Sequence, residues 1–384
     1  MQITLMAIGS RGDVQPLVAL GARLKDRGYG VRLVAGDEFG ELASAAGLDF
    51  TGLGIAIRSA MQAHTDLFRF AHSITERVLQ ACGNKQDAII STFLGVATCV
   101  RANEQGIPFF YVLPMPSLST QAFPNPIFPP LPFGPVYNRW TYRLSDRLAV
   151  QAYEPAQSLF GDPRPTYLFC YSNQVVPRPS DWGDYAHVAG YWFLDSPPGW
   201  QPPHELAAFL ANGTPPVGVT FGSMCTKNVA QTTDQVLSAL QQSGRRGVLV
   251  AGWGGLKPQD LPANVFVVDS VPFDWLCPRL SMLVHHGGAG TTAEALRAGI
   301  PSVIVPFGMD QPFWGRQMQR LGVAPAPVPL KRLTAGRLSQ AINLATTDER
   351  IKAKAASLGE KIRAEDGTGN AVGIVERVCR QWQR

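Results

Sequence analysis

Twice in this chain an apolar run of strand length ends in a glycine-rich turn and passes into a helix. The first run, Ile3–Ile8, leads through Gly9-Ser10-Arg11-Gly12-Asp13 to a helix with Leu17, Leu20 and Leu24 at helical spacing. Gly28 ends that helix and Val31–Ala35 supplies the next strand; Ala88–Ser91 and Phe109–Leu113 follow, separated by a helical segment over 96–104. The rhythm restarts at Val217–Phe221, which is followed by Gly222-Ser223. It continues through Val248–Ala251, Val265–Val268, Met282–Val284 and Ser302–Val305, with Gly287-Gly288-Ala289-Gly290 after the fourth of these. Alternating strands and helices require a parallel sheet covered by helices. The predicted class is therefore α/β, as two Rossmann-like, doubly wound domains facing each other across a cleft. The glycine turns then lie at strand ends, where open parallel sheets bind ligands.

A length of 384 residues suits two domains of similar size. The expected division is a first domain over 1–195, a linker rich in Pro, Gly and Trp over 196–216, and a second domain over 217–370. Residues 371–384 form a C-terminal helix that can pack back on the first domain. With 45% hydrophobic and 16% charged residues the chain reads as a soluble globular protein, not a disordered one. Its net charge of +5 is spread along the sequence without a basic block or aromatic-basic interleaving, so nucleic acid is not an expected partner. Cys82, Cys99, Cys170, Cys225, Cys277 and Cys379 are dispersed, with no CxxC and no zinc-type spacing, which points to a cytoplasmic protein without a structural metal. The opening Met-Gln-Ile-Thr-Leu-Met reads as a buried strand and not a signal peptide, and no stretch is long enough to insert stably in a membrane.

Eight prolines fall between Pro114 and Pro135, among Phe123, Phe128 and Phe133. Such a segment is neither helix nor central strand; it is a surface loop or an apolar flap over a pocket. The segment 56–77 reads first as an amphipathic helix packed on the sheet. Met61, Phe68, Met115, Phe123 and Phe128 are the apolar side chains in these two regions expected to face an acceptor.

The densest chemistry lies in His285-His286-Gly287-Gly288-Ala289-Gly290-Thr291-Thr292-Ala293-Glu294. Glycines after a buried strand let backbone amides approach a ligand. A helix beginning near Thr291 or Thr292 offers N–H groups and a positive dipole end to a diphosphate. The histidine, threonines and carboxylate extend this to an anion-plus-ribose site. No Gly-Lys-Ser/Thr follows, so the loop is not a P-loop.

The run Val271–Gln311, VPFDWLCPRLSMLVHHGGAGTTAEALRAGIPSVIVPFGMDQ, resembles the donor-binding box of family 1 glycosyltransferases, and within them the sterol glucosyltransferases and glycopeptide-antibiotic glycosyltransferases. Eight residues separate His286 from Glu294 and sixteen separate Glu294 from Asp310, as in that box. GSRGDVQP at the start, and GYWFLD, FGSM and AGWGG later, follow in the order of the same family, so the resemblance spans nearly the whole chain. It implies a GT-B architecture. The implied reaction is inverting transfer of a hexose, glucose above all, from a UDP- or dTDP-sugar to a hydroxyl of an apolar molecule such as a sterol, a polyketide or another natural-product aglycone. No metal or cofactor is implied.

The resemblance also assigns roles. His286 contacts the diphosphate, with Gly288, Gly290, Thr291 and Thr292 around it; Glu294 holds the ribose; Asp310 and Gln311 read the sugar hydroxyls. Ser223 falls near the phosphates and Trp253 near the nucleoside, where it also reads as core packing. No Trp stands in register to stack on the base, which leaves Phe273, Trp275 or the backbone near Val271. Asp13 stands where many members hold a catalytic histidine, and a carboxylate in a partly apolar cleft can serve as the base. Ser10 and Arg11 stand beside it, and Ser10 is grouped with the donor contacts. The competing reading of Asp13 is a cap on a helix starting near Pro16. A nucleotide-sugar epimerase and a non-catalytic nucleotide-sugar-binding partner of another transferase are the rival functions; oligomeric state is left open.

Overall fold

The computed structural model describes residues 1–57, 59–60, 67–160, 165–197, 199–222, 228–252 and 261–383. The chain divides into two compact units, one of residues 1–194 with 365–384 and the other of 195–364.

In the first unit β1 (Gln2–Met6), β2 (Gly30–Ala35), β3 (Asp49–Gly52), β4 (Ala88–Ser91), β5 (Phe109–Leu113), β6 (Thr166–Phe169) and β7 (Ala186–Val188) form a parallel sheet in the order β3-β2-β1-β4-β5-β6-β7. Its connections carry α1 (Arg11–Asp26), α2 (Gly40–Ala45), α3 (Leu67–Cys82), α4 (Thr98–Gln105) and α5 (Gly134–Ala152). The central strands are apolar on both faces because helices cover both, as a parallel sheet demands. Ile3, Leu5, Leu33, Ile90 and Val112 are buried together with Leu17, Leu20 and Leu24 of α1. Each such side chain contributes roughly 2 kcal/mol through removal from water. α3 carries residues 67–77 of the amphipathic segment and residues 57, 59 and 60 are also helical, while residue 58 and residues 61–66, Met61 among them, lie outside the described residues.

The second unit opens with α6 (His204–Ala211), and β8 (Val217–Thr220) follows. Next come α7 (Val229–Gln242), β9 (Gly247–Val250), β10 (Val265–Val268), α8 (Phe273–Leu276), β11 (Met282–His285), α9 (Ala289–Ala298), β12 (Ser302–Ile304), α10 (Gln311–Leu321), α11 (Ala335–Thr347) and α12 (Glu349–Arg363). Its parallel sheet has the order β10-β9-β8-β11-β12. The segment expected as linker thus carries α6 and belongs to this unit, with Leu206 of α6 buried beside Val248 and Leu283.

After α12 the chain returns to the first unit as α13 (Gly367–Trp382). Asp366 caps α13 by accepting from Gly369 N at 2.9 Å and pairs with Arg23 of α1 at 3.1 Å. Val372, Val375 and Cys379 of α13 are buried in the same core as β1 and α1. Cys82, Cys99, Cys170, Cys277 and Cys379 are buried thiols without disulfides. Among the described residues no helix is long and apolar enough to cross a membrane.

Candidate active site

Both glycine turns sit at topological switch points. In the first unit β2 and β3 lie on one side of β1 and β4 on the other, so the turn after β1 opens where the strand order reverses. In the second unit β9 and β10 lie on one side of β8 and β11 on the other.

At the first switch point Thr92, just past β4, clamps the end of β1. Its Oγ1 accepts from Ile8 N at 3.1 Å and lies 3.0 Å from Ile8 O, to which it donates. α1 then starts at Arg11, not near Pro16, because Ser10 and Asp13 nucleate it together. Asp13 is the third residue of the helix, and its Oδ2 reaches back to accept from Ser10 N at 2.8 Å and Ser10 Oγ at 3.0 Å. Asp13 is therefore a capping-box acid rather than the cap residue itself. Gly9 makes room for it: at φ +143° it holds a backbone few other residues adopt, and a Cβ there would stand 2.4 Å from Asp13 Oδ2. Asp13 remains partly exposed, and Arg11 is tied through Nε to Gln15 Oε1 at 3.0 Å. Ser10 is engaged with Asp13, its hydroxyl donating to the candidate base within the first unit.

At the second switch point the end of β11 carries His285 and His286. The buried His286 ring is clasped between two glycines: a Cβ on Gly288 would stand 2.4 Å from Nε2, and one on Gly222, after β8, would stand 2.9 Å from Cε1. Burial pushes the His286 imidazole down to about 4, so near pH 7 it is neutral and offers an N–H, not a positive charge. Its Nδ1 is buried without a hydrogen-bond partner among the described residues. His285, which sequence reasoning passed over, is also fully buried; burial and the neighbouring His286 hold it down to about 3. Its Nδ1 accepts from Gly287 N at 3.2 Å and so shapes the loop. Gly287, at φ +89°, has no room for a side chain against Ile304 and the carbonyl of Gln311.

α9 starts at Ala289, two to three residues before the expected start, with Gly288 as its N-terminal boundary. The first-turn amides of Ala289, Gly290 and Thr291 precede the first helical bond, from Thr292 N to Gly288 O at 2.9 Å. Gly290 is exposed with open space where a side chain would be, whereas Thr292 is fully buried and its Oγ1 lacks a hydrogen-bond partner among the described residues. Farther along α9, burial raises the Glu294 carboxyl to about 7; Arg297 opposes the shift while Asp274 and Asp195 add to it. Arg297 Nη1 stands 4.0 Å from Glu294 Oε2, and Arg297 Nη2 pairs with Asp195 at 2.5 Å. Val271 is buried in the apolar cluster that holds Leu276 and Cys277. Trp275 has the Arg279 guanidinium 4.4 Å over its ring and packs edge-on with Trp200, so the half-buried Phe273 is the less encumbered ring for a base.

Beyond β12 the turn of Phe307–Gln311 is bolted at both ends. Gln311 Oε1 accepts from Phe307 N at 2.7 Å and Gly308 N at 3.3 Å, which leaves the NH₂ end as what this side chain can offer a ligand. Asp310 Oδ2 accepts from Trp314 Nε1 at 2.9 Å, and burial pushes its carboxyl up against that bond. Between the bolts Met309 adopts φ +54° with an exposed side chain; among the described residues no other non-glycine has positive φ. Neither the partnership of Trp314 nor the strain at Met309 is legible in the sequence, because both follow from where the turn is anchored.

The acceptor candidates are more scattered. Phe68 packs edge-on against Phe93, just past β4, at 5.8 Å between centroids, and the partly buried Met115 follows β5. Phe128 packs instead on Trp140 of α5, 6.4 Å away, and Phe123 is partly buried. The proline-rich segment is neither helix nor strand up to Phe133, its last proline, Pro135, entering α5, and it is firmly pinned: Thr120 Oγ1 donates to Asp181 at 2.7 Å, Asn125 N to Thr141 Oγ1 at 2.9 Å, and Tyr137 OH to Pro129 O at 2.8 Å. Ser223, Trp253 and Met61 lie outside the described residues.

Residues 3–124 match the N-terminal domain of glycosyltransferase family 28, and residues 255–377 match the C-terminal domain of erythromycin biosynthesis protein CIII-like proteins. The O-mycaminosyltylonolide 6-deoxyallosyltransferase of Streptomyces fradiae is 35% identical over 98% of this chain and 97% of its own length. A sterol 3-beta-glucosyltransferase of Arabidopsis thaliana is 34% identical over 97% of this chain, which spans 64% of that protein. The crystal structure of the kitacinnamycin glycotransferase superposes with a TM-score of 0.73 at 21% identity over 98% of both chains. The chain belongs to the family 1, GT-B-fold glycosyltransferases, the family that joins sterol glucosyltransferases to the glycosyltransferases of antibiotic biosynthesis.

Proposed function

We propose that this enzyme transfers a hexose, with glucose the first candidate, from a UDP- or dTDP-sugar to a hydroxyl of an apolar small molecule, inverting the anomeric centre. The acceptor class is a sterol, a polyketide or a related aglycone, in keeping with the sterol and tylonolide substrates in its relatives' names. The observation that carries the reading is the neutral His286 clasped by Gly222 and Gly288 at a switch point, beside the first-turn amides of α9. Such a cradle suits a diphosphate leaving group held by N–H donors and a helix N-terminus.

In this mechanism Asp13 takes the proton of the acceptor hydroxyl as that oxygen attacks the anomeric carbon. The bond from that carbon to the diphosphate breaks, and the nucleoside diphosphate leaves with its charge stabilised by His286 N–H and the α9 amides. Asp13 returns its proton to water. One displacement converts an α-linked donor to a β-linked glycoside. Glu294 accepts from ribose hydroxyls, and Asp310 with the NH₂ of Gln311 reads the sugar. The donor diphosphate needs no metal in this scheme.

The test is a thermal-shift screen of UDP- and dTDP-sugars with and without EDTA, followed by mass spectrometry with a mixed panel of apolar alcohols and phenols. Ligands that bind the native state raise its melting temperature, so the expected result is an EDTA-insensitive shift and a product heavier by one hexose. Interconversion of donor alone would establish the epimerase reading instead.

A further inference from the structure

From Gln105 to Ser145 the sequence contains no acidic residue, and its charged side chains are Arg139 and Arg143 alone. This acid-free stretch ends in α5, whose outward face carries Val136, Trp140, Arg143 and Arg147 at helical spacing with Arg139 at its border. The side chains are strongly exposed: 81% for Val136 and 51% for Trp140, joined from the preceding loop by Phe133 at 67% and Leu131 at 44%. Isolated apolar residues on a surface are ordinary, but a contiguous aromatic and aliphatic patch is not.

The patch is also preformed. Tyr137 stacks on Trp140 and packs edge-on with Phe133, each at 6.0 Å, while Phe128 meets Trp140 from the loop side. Asn138 Nδ2 donates to Gln121 O at 2.7 Å, fastening the loop to the helix. None of Arg139, Arg143 and Arg147 makes a salt bridge or hydrogen bond among the described residues. The one acid of the helix, Asp146, is partly buried, and burial raises its carboxyl to about 6.

We propose that this face of α5 and its preceding loop dock on an anionic lipid surface, with Phe133, Val136 and Trp140 entering the interface and the three arginines meeting lipid phosphates. A rigid apolar cluster bordered by arginines, of which, among the described residues, only Arg139 meets an acid, Asp181, matches what an interfacial helix needs, and Trp and Tyr favour the headgroup level. The absence of acid over the stretch limits the repulsion that an anionic bilayer would meet to Asp181, whose carboxylate is engaged by Thr120 and Gln121. A protein partner would be matched by the apolar patch, but nothing in the patch requires it to be acidic; the arginine row does favour an anionic surface. The inference rests on the patch alone and not on the choice of donor or acceptor.

The test is co-sedimentation of the full chain, without donor or acceptor, with phosphatidylcholine vesicles and with vesicles containing about a third phosphatidylglycerol. The expected result is binding to the anionic vesicles at least tenfold stronger than to the neutral ones, and release at high salt. Arg143→Gln and Arg147→Gln should each weaken it about five-fold. Trp140→Ser should weaken it by a similar factor or more, with UDP binding unchanged. Absent or equal binding to the two vesicle types overturns the proposal, as do variants that bind like the parent. A dimer that Trp140→Ser dissociates, with no vesicle binding, would make the face a protein contact and equally overturn it. Loss of sugar transfer without loss of vesicle binding would count against the reaction scheme and leave this surface intact.

Discussion

Asp13 Oδ2 accepts two hydrogen bonds from Ser10, from its backbone N at 2.8 Å and its Oγ at 3.0 Å. The carboxylate proposed as the base is thus oriented by the residue that starts its own helix, and the structural and chemical roles coexist. Asp13→Asn separates them, because the amide oxygen can keep the bond to Ser10 N while the side chain can no longer take a proton. Fold and donor binding should persist, with kcat lower by roughly 10²- to 10⁴-fold. Ser10→Ala should lower stability by about 1 kcal/mol and turnover only several-fold. Near-normal turnover by Asp13→Asn would move the base elsewhere.

Gln311 holds the β12–α10 turn through Oε1 and has its NH₂ end for a ligand, so Gln311→Ala removes two functions at once. Gln311→Glu keeps an acceptor for Phe307 N and Gly308 N and deletes only the donor. The alanine variant should lose both melting temperature and turnover. The glutamate variant should hold its melting temperature far better, yet lose turnover of the intact sugar donor more than affinity for free UDP. Parent-like turnover by Gln311→Glu would leave the side chain a purely structural bolt.

The sheet-forming runs were legible because buried parallel strands must be apolar throughout, and both turns that mark the switch points announced themselves by glycine. Pro16 suggests a later start for the helix of Asp13 than Ser10, whose side chain and backbone do the starting. His285 stayed hidden since a histidine next to a better candidate carries no pattern of its own; only its burial and its bond to Gly287 N reveal a loop-shaping part. α5 was missed altogether, for it buries the polar Asn138 and Thr141 while Val136 and Trp140 face solvent, and so yields no clean amphipathic period. The linker reading failed to see α6 because His204–Ala211 is short and flanked by prolines and glycines.

Met309 is held at φ +54° between the Gln311 and Trp314 anchors, a conformation that costs an L-residue roughly 1–2 kcal/mol. Glycine relieves that strain but loses more chain entropy on folding, so Met309→Gly should range from neutral to about 1 kcal/mol more stable. Met309→Val should be less stable than either, since a β-branched residue at positive φ is a true outlier. Denaturant midpoints of the three proteins decide this. A glycine variant less stable than the parent would mean that the Met309 side chain stabilises the turn by more than its backbone costs.

Glu294 makes the sharpest pH prediction. Burial raises its folded value to about 7 from an ordinary 4.5, so between those values the native protein keeps a proton that the unfolded chain has released. Its contribution to stability therefore falls as pH rises through that window and levels off above it. His286 acts the other way. Its folded value of about 4 lies below the ordinary 6.5, so the unfolded chain protonates first and stability rises with pH between them. The two trends oppose up to about pH 6.5, and Glu294→Gln removes only the first. The melting temperature of the variant minus that of the parent should therefore be larger at pH 8 than at pH 5. The same carboxylate should read the ribose: ionised Glu294 accepts more strongly from hydroxyls, so UDP should bind the parent more tightly at pH 8 than at pH 6. This trend should vanish in Glu294→Gln. Because deoxyribose lacks the 2′-hydroxyl, dTDP should lose less than UDP from the substitution. A variant whose stability tracks the parent at both pH values, with UDP and dTDP affinities changed equally, would remove Glu294 from the nucleoside site.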